Sequence, residues 1–213
     1  MASDANQTSE ANLEAVALFK KKAAEVSTLV IEVPDLSAAL DQAARIAAQA
    51  DPAERLPTGS PQTAREIAGS PKRLAAPDLS EADYAYLAGR CQELGVEILK
   101  GPMRERLSGL EAAFSLASLG LADTATCVME NETEDCRLAS MVCETHVLGL
   151  YAKDVVQDGQ AGLAFLEAAL DRERNFVSFI SGASRTSDIE RVLTLGVHGP
   201  LRLVVALIGP SGD

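Results

Sequence analysis

Hydrophobic positions along this chain alternate between short, uninterrupted apolar runs and longer stretches with helical spacing. Leu13, Val16, Ala17 and Phe19 recur near one face behind the capping residues Thr8 and Ser9, which predicts a helix over about 8–26. The β-branched run 27–33 predicts a strand, stopped by Pro34; Asp35 or Ser37 then starts an alanine-rich helix to about residue 50. From Ser80 a capped helix places Leu87 and Leu94 inward and ends at Gly95. Short apolar runs at 96–99, 126–129, 146–150 and 203–208 predict strands, and Phe176–Ile180 predicts a buried one. Residues 110–121 are dominated by apolar side chains, while 133–141 and about 159–170 read as helices. Such alternation implies crossover connections and an α/β fold of three layers, a mostly parallel sheet with both faces covered by helices.

One segment breaks the pattern. Residues 51–79 hold Pro52, Pro57, Pro61, Pro71 and Pro77 together with Gly59 and Gly69, which predicts an exposed excursion. Neither flank is large enough to fold alone, so residues 1–213 are expected to form a single domain.

Composition narrows the function classes. A hydrophobic content of 47% is that of a globular chain. The net charge of −12 repels phosphate backbones and anionic membrane surfaces, which argues against nucleic-acid binding. No apolar stretch is long enough to insert in a bilayer, and residues 1–10 do not read as a secretory signal. Cys91, Cys127, Cys136 and Cys143 form no C-x-x-C pair, so neither a zinc ribbon nor an iron–sulfur loop is expected. Scattered buried thiols fit a cytoplasmic protein with no metal site.

Chemistry concentrates in three stretches. In the first, Phe176–Ile180 runs into Ser181, Gly182 and Ala183, which permit a tight turn, and a helix is expected to start near Thr186 or Ser187. Free N–H groups at such a start attract anions; Ser184 and Thr186 add hydroxyls, and Arg185 adds a planar fork for a carboxylate or phosphate. The competing reading has Ser184 or Ser187 as a plain helix cap, with Arg185 paired to Asp188. In the second, Gly196, His198, Gly199 and Pro200 form a turn whose histidine is either a general acid–base or simply exposed. In the third, Asp123, Thr124 and Thr126 either line a polar pocket or close an Asx-type turn. His146, inside a strand, reads as a packed or hydrogen-bonded residue.

Together these stretches resemble the LUD family, the LutC/YkgG group of lactate utilisation. S-G-A-S-R-T-S-D-I-E followed by L-G-V-H-G-P is similar to that family's most specific signature, and Thr145-His146-Val147 resembles its histidine-containing strand. G-L-A-D-T-A-T occupies the place of the family's I-A-E-T-G-T segment, with Asp123 where Glu and Ala125 where Gly are more usual. The resemblance implies a fold like the NagB/RpiA/CoA-transferase superfamily. It also implies a part in oxidising L-lactate to pyruvate beside LutA/LutB-like iron–sulfur subunits, with no cofactor bound directly and the clusters held by those partners.

Two functions compete on this reading. One is an accessory, ligand-binding subunit of lactate oxidation, with Ser181, Gly182, Ser184, Arg185, Thr186, Thr124 and Thr126 around a small anion. The other is a stand-alone enzyme acting on a phosphorylated or CoA-linked small acid, with Asp123 or His198 as acid or base.

Overall fold

Two larger sheets of unequal size and a two-stranded one organise the described chain in the computed structural model, which describes residues 2–51, 53, 70–105, 109–171, 176–187, 193–195 and 199–209. Helix α1 (Ala2–Glu25) leads to β1 (Leu29–Val33), α2 (Leu36–Gln49) and β2 (Lys72–Ala75). Next come α3 (Glu81–Glu93), β3 (Val96–Leu99), β4 (Ala112–Ala117), β5 (Leu119–Leu121) and β6 (Thr126–Asn131). The chain continues through α4 (Glu134–Val142), β7 (Thr145–Tyr151), β8 (Val155–Val156), α5 (Leu163–Leu170) and β9 (Phe176–Ile180). An antiparallel pair, β10 (Arg185–Ser187) with β11 (Leu193–Leu195), precedes the last strand, β12 (Arg202–Ile208).

The larger sheet is parallel throughout, in the order β1-β12-β7-β4-β2-β3. Both its faces are covered, which is why β12 is a continuous apolar run. Val204, Ala206 and Ile208 pack under α2 and α3, while Leu203, Val205 and Leu207 face the other way. Helix α2 starts on Asp35, whose carboxylate accepts the Ala38 N–H at 2.8 Å, and buries Ala39, Leu40, Ala43, Ala44 and Ala47. Alanines on that stripe let the helix axis approach the sheet closely.

The opposite face carries α1, α4 and the smaller sheet, ordered β8-β5-β6-β9. Helix α1 packs there through Ala15, Val16, Phe19 and Ala23, and Asn12 Nδ2 donates to the carbonyls of Ala152 and Val155 at 2.9 Å each. All four cysteines are buried and free. Burial raises the Cys91 thiol to about 11 and that of Cys127 to about 12, so both stay protonated at neutral pH.

Several expectations need correction. Helix α1 begins at Ala2, ahead of the Thr8 cap. Leu94 is 40% exposed, because α3 stops at Glu93 and Gly95 turns away at φ +69°, where helical spacing no longer applies. The tail of the proline-rich segment is not an excursion but strand β2, between β4 and β3 with Leu74 and Ala75 buried. Residues 52 and 54–69 of that segment lie outside the described residues. The run 110–121 divides at Ser118 into two strands that belong to different sheets. Strand β9 is not buried: it edges the smaller sheet, antiparallel to β6, with Phe176 52% and Phe179 55% exposed.

Candidate functional site

The chain leaves β9 at Ile180 and enters β10 at Arg185, and the 181–184 link between them shares a cavity with His146 and Leu203, near the amino ends of β7 and β12. Gly182 makes that passage possible. Its φ is +81°, and a Cβ there would stand 2.8 Å from the carbonyl oxygen of Val26, on the connection between α1 and β1. The turn is closed on its far side by Gly199 and Pro200. Gly199 adopts φ +146° against the side chain of Ser184, whose N–H donates to the Pro200 carbonyl at 2.9 Å. The N–H groups of Gly182 and Ala183 have no partner among the described residues.

Substituting Gly182 with alanine therefore forces a side chain into a left-handed conformation and against backbone. Gly182→Ala is expected to cost about 2 kcal/mol of stability, measured by urea unfolding, and to displace the turn.

Between this turn and the main sheet lies a cavity of about 430 Å³. Ser140 and Met141, at the end of α4, form one wall; Ser178 to Ser184 form the other, with Gly199 and Pro200 beside them. His146 and Leu203, register partners on β7 and β12, complete the lining. Asn131 Nδ2 donates to Ser178 Oγ at 2.9 Å and fixes that hydroxyl. Among the described residues that line it, none carries a formal charge, except for any that His146 acquires.

His146 is fully buried. Its Nε2 lies 3.1 Å from Ser115 Oγ on β4, and its Nδ1 has no partner among the described residues. Burial holds its pKa down at about 4, so the ring is neutral at pH 7.

A line of hydroxyls reaches the cavity wall from the third sequence stretch. Thr124 Oγ1 donates to Asp123 Oδ1 at 3.2 Å and lies 2.8 Å from Thr126 Oγ1, which is 2.6 Å from Ser181 Oγ. The turn that makes this possible puts Ala125 at φ +50°. Ser181 lines the cavity; Asp123, Thr124 and Thr126 stand outside its lining.

The structure thus joins Asp123, Thr124 and Thr126 to Ser181, and places Ser181, Gly182 and Ser184 on the cavity. It does not supply the expected helix start at Thr186 or Ser187: that segment is β10, paired Arg185 to Leu195 and Ser187 to Leu193. A hydroxyl-rich S-R-T-S sequence suits a helix cap, but antiparallel pairing with the next strand, β11, prevails here. Arg185 and Thr186 are described by their backbone alone, and His198 lies outside the described residues. Sequence reasoning missed His146, Ser140 and Ser178 as cavity residues. A signal existed for the first, since a histidine among apolar neighbours in a central strand must direct its nitrogens somewhere. Among the described residues no cluster of three His, Cys, Asp or Glu suits a metal ion, and no helix is long and apolar enough to cross a membrane.

Comparison with known proteins follows the same lines. The family model described as the LUD domain matches residues 16–208. The chain is 29% identical over 120 residues to the lactate utilization protein C of Deinococcus radiodurans, which is 54% of this chain and 56% of that protein. It is 32% identical over 109 residues to the lactate utilization protein C of an Exiguobacterium species, 49% of this chain and 47% of that one. The matches span about half the length of these curated relatives. The crystal structure of a DUF162 family protein from Deinococcus radiodurans shares the fold, with a TM-score of 0.58 and 20% identity over 93% of this chain and 98% of that one. With the match extending from α1 to β12 across both sheets, the chain belongs to the LUD domain family.

Proposed function

We propose that this chain is a ligand-binding component of lactate utilisation that holds a small carboxylate in the cavity between the 181–184 turn and β7. The observation that carries this reading is the turn itself, whose Gly182 and Ala183 N–H groups have no partner among the described residues beside the cavity-lining Ser184. Backbone donors of this kind suit a carboxylate without requiring a basic side chain. The names of the two relatives support the pathway. In this reading the oxidation of L-lactate to pyruvate proceeds with LutA/LutB-like subunits, whose iron–sulfur clusters take up the electrons.

Titration calorimetry and thermal unfolding with L-lactate, pyruvate, inorganic phosphate, sugar phosphates and acyl-CoA test it. L-lactate or pyruvate is expected to bind and to raise the unfolding midpoint. Ser184→Ala should weaken that binding by about tenfold, the scale of one charge-assisted hydrogen bond. Lactate oxidation by the iron–sulfur subunits that stays the same with and without this chain would overturn the pathway assignment. The cavity volume of about 430 Å³ exceeds what a three-carbon acid fills, and this favours the second reading, an enzyme for a phosphorylated or CoA-linked acid. Binding of phosphorylated or CoA compounds alone would establish that second reading in place of the first.

A further inference from the structure

We propose that Nδ1 of His146 contacts a second oxygen of the bound acid, so that the cavity selects carboxylates bearing an adjacent hydroxyl or carbonyl over plain carboxylates. This rests on the reading that the cavity takes a small carboxylate, and adds which members of that class it prefers.

Geometry carries the inference. His146 sits on β7 between Ala113 of β4 and Leu203 of β12, neighbours that offer its ring no polar group. Ser115 engages Nε2 at 3.1 Å, which fixes the ring plane and leaves the other nitrogen as the unmatched polar atom of the pair. Buried polar atoms in folded proteins nearly all have a partner, and those that do not commonly serve a ligand or a bound water. His146 lines the same cavity as the 181–184 turn, so one small molecule can meet both. In the tautomer in which the Ser115 hydroxyl donates to Nε2, the ring hydrogen lies on Nδ1, a neutral donor that suits a hydroxyl or carbonyl oxygen. Burial keeps the ring neutral at pH 7, so the contact adds direction without adding charge. The carboxylate end is then left to the Gly182 and Ala183 N–H groups.

Propionate, lactate and pyruvate share a carboxylate and differ in the second oxygen, which makes them the probes. By calorimetry at pH 7 the wild-type chain should bind L-lactate and pyruvate about tenfold more tightly than propionate. His146→Phe should shrink that gap to less than about threefold, by weakening L-lactate and pyruvate more than propionate. Ser115→Ala, a smaller change that retains the imidazole, should narrow the gap partway by releasing the ring. In ¹⁵N spectra of the wild-type protein, the Nδ1 signal of His146 should move with lactate and stay in place with propionate. Equal wild-type affinity for lactate and propionate would overturn this inference and leave the carboxylate site standing. An equal loss of lactate and propionate binding in His146→Phe would also overturn it, by making His146 a purely structural residue. Failure of every carboxylate to bind would overturn both this inference and the reading beneath it.

Discussion

Between pH 7 and pH 4 the chain should lose about 3 kcal/mol of folding stability through His146 alone. The ring is fully buried, and burial lowers its pKa from 6.5 to about 4. Below pH 6.5 an unfolded chain binds this proton readily, whereas the folded chain binds it only near pH 4. In that window unfolding takes up a proton, so stability rises with pH. The contribution is complete above pH 6.5 and is lost as the pH falls towards 4. Around the ring stand Ser115 on β4, Leu203 on β12, Ser140 and Met141 on α4, and the 178–184 wall, and none of these can offer a charge to an imidazolium. Urea unfolding of wild type and His146→Phe at pH 7, 5.5 and 4.5 isolates the effect, because the carboxylates titrate in both. The difference between the two proteins should shift by about 1.4 kcal/mol per pH unit across the window. Parallel stability curves would show that the site is open enough to solvate the charged ring.

Removing the Glu111 carboxylate should cost about 3 kcal/mol. Glu111 is almost fully buried just ahead of β4, and its two oxygens accept N–H groups from separate stretches of chain. One is the N–H of Ala53, at 3.1 Å; the other is that of Arg73 in β2, at 2.7 Å. The carboxylate therefore ties Ala53, near the start of the proline-rich segment, to strand β2. Glu111→Ala leaves two N–H groups with no acceptor, each costing about 1–3 kcal/mol. Glu111→Gln retains the volume and one acceptor and should cost about half as much. Urea unfolding measures the loss, and hydrogen exchange at the Ala53 and Arg73 amides should accelerate first. A loss below about 1 kcal/mol would mean that water replaces the carboxylate at both positions.

How legible these features are in the sequence follows from their physics. Strands β1, β3, β7 and β12 announce themselves as apolar or β-branched runs, because a parallel sheet covered on both faces needs no polar alternation. Strand β2 does not. Half of its four residues are Lys72 and Arg73, which keep their charged ends bonded at the Ala48 carbonyl and at Glu97. Strand β9 is legible as a strand but not as an exposed edge, since Phe, Val and Ile suit either place. The tight turn at Gly182 is legible from its small residues, whereas the strand that replaces the expected helix depends on its pairing with Leu193–Leu195. His146 reaches the candidate site for the same kind of reason. Only the folded chain brings residues 140, 141, 146, 178–184, 199, 200 and 203 to one cavity.

A row of hydroxyls that ends on a carboxylate has a polarity. The Thr124 hydrogen is given to Asp123, so Thr124 receives one from Thr126, and Thr126 in turn receives one from Ser181. Ser181 thereby meets the cavity with lone pairs, and its natural complement is an O–H group.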